Sequence, residues 1–281
     1  MERLERPVQL AVNYRSHAGI LSCASAVLQS MFALFPGSAK VLFPDRGIFN
    51  GPKPSFWRGG RMPKGAGSLQ SILSRGSRCV VICPDELQAS LATMLPDNLV
   101  FGIREAKGLE FPDVAIVNFF SGLPTHDQAI WPRLLKEEES GVIAASALDA
   151  AAACPHAETQ LKLLYTAITR SCRTLLFAET SESSAGAAFF QWLQDKALAE
   201  PYVLMAAESD SAGDAVDYND FDELRMRGLG LAAAAVSEES GTIKLSLLEK
   251  AAQCFSMAGY ALPIICSRMD VCVCVGLQGV R

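Results

Sequence analysis

The sequence predicts an α/β fold, a parallel sheet with flanking helices, followed by a small all-helical segment. Three observations predict it. Short apolar runs alternate with helix-period stripes through residues 1–207, the pattern of strand–helix–strand units. Those runs are continuous rather than alternating, as in strands buried on both faces. Beyond the acidic stretch ESDSAGDAVDYNDFDE only helix-period stripes remain.

Composition agrees with a packed core. Of 281 residues, 50% are hydrophobic and 20% charged, with mean hydropathy +0.21. That excludes a wholly disordered chain. The length suits one large domain or two small ones. Lys and Arg number 25 against 30 Asp and Glu, a net charge of −5. A chain-wide basic footprint for nucleic acid is therefore excluded, while a local basic site is not.

The elements follow in order. Ser16 is a candidate N-cap for a helix whose apolar stripe is Ile20, Leu21, Ala24, Leu28 and Met31. Residues 36–68, rich in Gly, Pro and basic residues, read as a loop with a short strand at 41–43. CVVIC at 79–83 is a buried strand stopped by Pro84, and Asp85 can cap a helix over 86–94. Residues 99–101 and 114–120 are two further strands, the second (VAIVNFF) the stronger. The polar, then alanine-rich 121–157 is an insertion of loop with some helix. Leu161, Leu164 and Ile168 mark a helix over 158–171, 174–178 is a strand, and 189–198 is helical. Residues 208–222 read as an acidic linker and 223–260 as a helical hairpin, with Gly259 as its stop. Its stripes are Leu224, Gly228, Leu231, Ala235 and Leu247, Ala251, Phe255, Ala258; the small/large alternation resembles one tetratricopeptide-type helix pair. One such pair cannot bury its own face, so it is expected either to pack on the α/β domain or to belong to an array that continues in a longer protein; protein partners are a further expectation for this segment. The tail 261–281 has no clear pattern.

The first residues, MERLERPVQL, lack the apolar stretch of a secretory leader. Residues 261–275 are interrupted by Arg268 and Asp270, too broken for a membrane span. The expectation is an intracellular protein, nuclear or cytoplasmic, away from membranes. The nine cysteines include no C-x-x-C pair. Cys154-Pro155-His156 is the local zinc candidate and lacks a second pair, so no metal site is expected and the cysteines read as small apolar residues.

Three motifs carry chemistry. Asn13-Tyr14-Arg15-Ser16-His17 offers an aromatic face, a guanidinium and helix amides, a set that can stack a base and hold a phosphate. Taken alone, a packed surface Tyr beside a solvated Arg explains it as well. Arg104-Glu105-Ala106-Lys107-Gly108-Leu109-Glu110-Phe111 enters the strongest strand. Lys107 is a cation, Gly108 permits close approach, and Glu110 can accept from a sugar hydroxyl. The bland reading is a loop lysine and a solvated glutamate. Leu163-Leu164-Tyr165-Thr166-Ala167-Ile168-Thr169-Arg170 ends an apolar helix on a guanidinium that could cross a cleft to a phosphate. It could equally serve the helix dipole.

In this order, the three motifs resemble the second RecA-like domain of UvrD/Rep-type superfamily 1 helicases. NYRS resembles their fourth motif, the KGLEF stretch their fifth, and LLYTAITR their sixth. The helical segment with AAQCFSMAGY is similar to the region after the helicase core in tetratricopeptide and ankyrin repeat-containing helicase-like proteins.

The resemblance implies roles. Tyr14 would stack on adenine, Arg15 and Arg170 would reach the γ-phosphate, and Glu110 would bind ribose, with Gly108 beside it. Arg15 and Arg170 would act in ATP hydrolysis, which proceeds through positioning and cations on developing charge. Arg104 and Lys107 would face single-stranded DNA or RNA. The cofactor would be ATP with Mg²⁺, and the partner a first RecA-like domain supplying the Mg²⁺ ligands.

Departures accompany the likeness. The family places Thr and His where this chain has Gly102 and Arg104. The stretch from Ser16 to Lys107 is too short for a large inserted domain. No G-x-x-x-x-G-K-[ST] loop occurs; Gly60-Arg61-Met62-Pro63-Lys64-Gly65 has the wrong order, and Asp85-Glu86 lies in the wrong place for a Mg²⁺ motif. The expectation is half an ATP site, inactive alone. The alternative is a catalytically inactive, helicase-derived interaction scaffold. A two-metal nuclease lacks the acidic and lysine cluster it would need.

Overall fold

A computed structural model describes residues 12–13, 15–38, 46–47, 50–58, 69–74, 79–137, 143–202 and 218–257. The chain divides into two compact units, Met1–Met205 and Ala206–Arg281.

In the first unit, β1 (Val12–Asn13) leads into α1 (Ala18–Leu34) and pairs in parallel with β2 (Arg46–Gly47). Then come β3 (Ser55–Arg58), α2 (Leu69–Ser74), β4 (Val80–Cys83), a 3₁₀ turn (Asp85–Leu87), α3 (Gln88–Met94) and β5 (Val100–Gly102). They are followed by β6 (Phe111–Val117), α4 (Thr125–Leu134), α5 (Ala145–Ala153), α6 (Ala157–Ile168), β7 (Ser171–Glu179), α7 (Ser184–Asp195) and β8 (Glu200–Pro201). Strands β3 to β8 form one six-stranded sheet in the order β5-β4-β6-β7-β3-β8, every pair parallel. This is the α/β sheet expected, and its arrangement is consistent with a RecA-like one.

Strand alternation splits the core into two layers. Val81, Cys83, Ala115, Val117 and Ala178 pack on one face with Ile72 and Leu73 of α2 and Leu91 of α3. On the other face Phe56 stacks on Phe190 of α7, and Phe177 meets Phe189 edge-on. Trp131 of α4 closes that layer against Phe120. Helices on both faces are what a buried parallel sheet demands.

Several expectations needed correction. Residues 55–58 were expected within a loop, yet β3 lies inside the sheet between β7 and β8. Its run Ser-Phe-Trp-Arg is short and follows two prolines, and pairing with β7 over four residues overrides that local signal. The expected strand at 41–43 lies outside the described residues. Ser16 is not the cap of α1; His17 is, its ring accepting from the Gly19 N–H. Asp85 does not cap a helix: Pro84 precedes the 3₁₀ turn with no side-chain cap, and Asp85 turns to Arg104. β6 begins at Phe111 and stops at Val117, where Asn118 adopts φ 55°, a left-handed conformation that asparagine tolerates.

In the second unit, α8 (Tyr218–Ser237) and α9 (Gly241–Met257) pack along each other. Helix α8 starts inside the stretch expected as linker. Leu231, Ala235, Leu247, Ala251 and Cys254 form the buried seam. Residues 208–217 and 261–281 lie outside the described residues.

Candidate functional site

The motif residues sit where elements enter the sheet. Phe111 pairs with Ser171, so Glu110 and Arg170, each one residue earlier, arrive side by side at the N-terminal edge of β6 and β7. Arg15 arrives from the turn before α1. There the Asn13 side-chain oxygen accepts from the N–H groups of Arg15 and Ser16 at 2.8 and 3.0 Å, a local turn that fixes the backbone under the guanidinium. Arg15 forms an ion pair with Glu110.

Arg170 is the most constrained member. Its Nη1 donates to the Leu109 carbonyl at 2.9 Å, its Nε to the Thr166 carbonyl at 3.0 Å, and its Nη2 to the Thr169 hydroxyl at 3.1 Å. Burial lowers its pKa, the nearby Arg15 charge lowers it further, and Glu110 acts in the opposite direction. A guanidinium stays protonated despite this. Beside the matched Arg173–Asp113 pair, this cluster holds two cations against one carboxylate, a residual positive charge suited to an anion. Cys172 shares the neighbourhood: burial raises its pKa first and Glu110 second, with Arg15 and Arg170 opposing.

Gly108 adopts φ 87°, which favours glycine, and a Cβ there would meet nothing within 4 Å. The backbone beside Glu110 is thus open to an incoming group. Tyr14 lies outside the described residues.

Arg104 and Lys107 are not part of this cluster. Strand β5 ends level with Cys83, and Val117 is six residues along β6 from Phe111, about 20 Å at the usual strand rise. The segment 103–110 crosses from one edge of the sheet to the other. Arg104 stands at the C-terminal edge, where its Nη1 meets Asp85 Oδ2 at 2.5 Å and its N–H donates to Asp85 Oδ1 at 3.2 Å. Lys107 is exposed on the crossing segment. Gly102 faces the same carboxylate: a Cβ there would lie 2.3 Å from Asp85 Oδ1. A larger residue at 102 would require the Asp85 carboxylate that pairs with Arg104 to shift.

Three features escaped the sequence reading. Ser16 and His17 reach the start of β7, donating to the Ser171 and Arg173 carbonyls at 2.6 and 2.7 Å. Glu179, 4% exposed, accepts from the Phe120 and Ser121 N–H groups, both at 2.9 Å, and burial raises its pKa. Asp127, 1% exposed, accepts from Gln160 at 2.6 Å and from the Cys154 thiol at 3.5 Å. Trp131 donates to the same Gln160 at 2.9 Å. Cys154, the zinc candidate's thiol, is thus spent inside a hydrogen-bonded network, and burial raises its pKa. Among the described residues no group of three His, Cys, Asp or Glu could hold a metal ion, and no helix is long and apolar enough to cross a membrane.

No family model matches the chain. Over 125 residues, 40% of this chain, it is 36% identical to the human protein described as TPR and ankyrin repeat-containing protein 1. The matched stretch spans 4% of that relative's length.

Proposed function

We propose that this chain is the second motor domain of an ATP-dependent nucleic-acid helicase or translocase. It would supply Arg15 and Arg170 to the γ-phosphate, Glu110 to the ribose and Tyr14 to the adenine of an ATP shared with a first RecA-like domain. One observation carries the reading: Arg15, Glu110 and Arg170, from three segments distant in sequence, meet at one edge of a parallel sheet with cationic charge in excess. The donor set fits a triphosphate and not its metal. Its one carboxylate is paired with Arg15, so the Mg²⁺ ligands would come from the first domain. When bound, Mg²⁺ would offset phosphate charge and orient the β- and γ-phosphates. The chain's own part would be to bring two guanidiniums to the charge that develops on the transferred phosphoryl group.

Glu110 would exchange Arg15 for a ribose hydroxyl as the nucleotide enters, freeing Arg15 for phosphate. Arg104 would have to leave Asp85 to touch a nucleic-acid phosphate; Lys107 is already exposed. The test is to join the chain to a superfamily 1 first RecA-like domain carrying a phosphate loop and to measure ATP hydrolysis with single-stranded DNA and RNA. Strand-stimulated hydrolysis is expected, falling by roughly 10³–10⁵ in Arg170→Ala, the range for arginine fingers. A pair that binds no ATP, or an Arg170→Ala variant with full rate, sinks the assignment.

A second reading has its own support. The relative's name includes TPR and ankyrin repeats, and the second unit is a helix pair. A scaffold derived from a helicase, recruiting proteins through α8 and α9, would show no ATP dependence in the same experiment.

A further inference from the structure

Arg15 and Arg170 belong to segments far apart in sequence, and two side chains join those segments. Ser16, 2% exposed, donates its hydroxyl to the carbonyl of Ser171, the residue next to Arg170. His17, 8% exposed, places Nε2 at 2.7 Å from the Arg173 carbonyl. A carbonyl can only accept, so Nε2 carries the proton. The other ring nitrogen, Nδ1, accepts from the Gly19 N–H at 3.2 Å and caps α1. Both ring nitrogens are thereby engaged, one as donor and one as acceptor.

The surroundings leave the ring no slack. A Cβ at Gly51 would lie 2.2 Å from His17 Cγ, one at Gly47 would lie 2.6 Å from the Ala18 nitrogen, and one at Gly19 would lie 2.4 Å from the Pro52 carbonyl oxygen. Three glycines thus let two backbone segments close around the first turn of α1.

The two arginines differ in how they are held. Arg170 has three hydrogen bonds of its own. The Arg15 side chain is 45% exposed and tied to Glu110, itself 41% exposed, by an ion pair of a kind that contributes little. Its placement has to come from the backbone beneath it.

We propose that Ser16 and His17 are positioning residues that fix the separation between Arg15 and Arg170, so that one phosphate meets both guanidiniums. The proposal rests on the reading of both arginines as phosphate contacts. It adds two residues that touch no ligand and act through Arg15.

The test uses the 281-residue chain, labelled with ¹⁵N, and sodium tripolyphosphate as the probe. The Nε–H signals of Arg15 and Arg170 are followed by NMR. The variant is His17→Asn. Asparagine is a strong N-cap and keeps the acceptor for the helix amides, but its side chain is too short for the Arg173 carbonyl. If His17 is only a cap, the substitution changes nothing at the arginines. The positioning role predicts about tenfold weaker tripolyphosphate binding, the size of one net hydrogen bond. It also predicts that, without tripolyphosphate, the Arg15 signal moves toward its random-coil position while the Arg170 signal stays. Unchanged affinity with an unchanged Arg15 signal overturns the proposal. Ser16→Ala, read in the same way, replaces His17→Asn if that variant does not fold. The unmodified chain gives a further check: tripolyphosphate must shift the His17 Nε2 resonance together with both arginines. A still His17 beside shifting arginines overturns the proposal. If tripolyphosphate moves neither arginine in the unmodified chain, the phosphate-site reading fails instead, and the ligand-free Arg15 signal still decides on the positioning role.

Discussion

The two edges of the central sheet treat charge in opposite ways. At the C-terminal edge Asp85, Arg104, Glu105 and Glu179 are each matched within the fold. Asp85 holds Arg104, Glu105 accepts from Gln88 at 2.7 Å, and Glu179 is buried against two backbone N–H groups. At the N-terminal edge Arg173 is matched by Asp113, whereas Arg15 and Arg170 share the one carboxylate of Glu110, and the pair that involves Arg15 is exposed. Buried, satisfied groups stabilise; exposed, unbalanced groups cost little to rearrange and can exchange partners with a ligand. The difference separates residues that hold the fold from residues that can act.

The largest expected effect breaks the N-terminal edge alone. In a chain joined to a first RecA-like domain, Arg170→Lys keeps the charge but loses the planar fork that reaches Leu109 and Thr169. Its ATPase rate should fall nearly as far as that of Arg170→Ala, by about 10³-fold or more. Steady-state hydrolysis measures it, and a lysine variant with near-native rate would mean that charge alone suffices there.

The next effect belongs to the C-terminal edge. Glu179→Gln retains one acceptor for two N–H donors, so a buried donor at Phe120 or Ser121 is left unmatched. The expected loss is about 1–3 kcal/mol in urea unfolding. Its pH dependence has a definite sign. Burial raises the folded pKa of Glu179, so the folded state keeps a proton that the unfolded state releases near pH ~4.3. The advantage of the native residue is therefore largest below that value and shrinks as pH rises through the raised folded value. An advantage that grows with pH would place the carboxylate in a more polar setting than the fold shows.

A third effect tests α1, the helix that follows Arg15. The Cys23 thiol of α1 is fully buried, and burial raises its pKa to about 12 from 9.0. The folded state then holds a proton that the unfolded state loses above pH 9. Stability falls as pH climbs from that value toward 12. Between pH 8 and 10 the loss is about 1.4 kcal/mol, one pH unit's worth of linkage. Cys23→Ala should remove that alkaline loss; an identical loss in both chains would assign it to other groups.

How much of this was legible in the sequence differs between the same two edges. Apolar runs such as VVIC and VAIV announce buried strands because nothing polar interrupts them, whereas the Phe-Pro-Asp start of β6 carries no such signal. The helix over 157–168 is legible from Leu161, Leu164 and Ile168, all buried on one face. Strand β3 was illegible because two large residues between prolines and glycines carry no period; only its neighbours β7 and β8 make it a strand. At the N-terminal edge Arg15, Gly108, Glu110 and Arg170 could be picked out because a motif fixes residue type at short spacing. Pairing across the fold has no such signature. Nothing in the sequence tells that Ser16 reaches Ser171, that Asp85 engages Arg104, or that Glu179 folds onto the turn after β6.

The smallest effect sharpens the contrast most. Arg15→Ala and Arg104→Ala each remove one partner of a solvent-facing ion pair, Arg15 being 45% and Arg104 63% exposed. Surface pairs of this kind contribute roughly 0–1 kcal/mol and weaken in salt. Both variants should unfold in urea within that margin of the native chain, and the margin should narrow further at high salt. Arg104 has an additional tie, since its N–H also meets Asp85, but alanine keeps that bond. The two edges then separate by function instead of stability. Arg15→Ala should weaken tripolyphosphate binding to the chain, while Arg104→Ala should leave it unchanged, because Arg104 lies across the height of the sheet from Arg170. Equal losses of binding in the two variants would mean that the anion site extends over both edges, and the division between a holding edge and an acting edge would have to be abandoned.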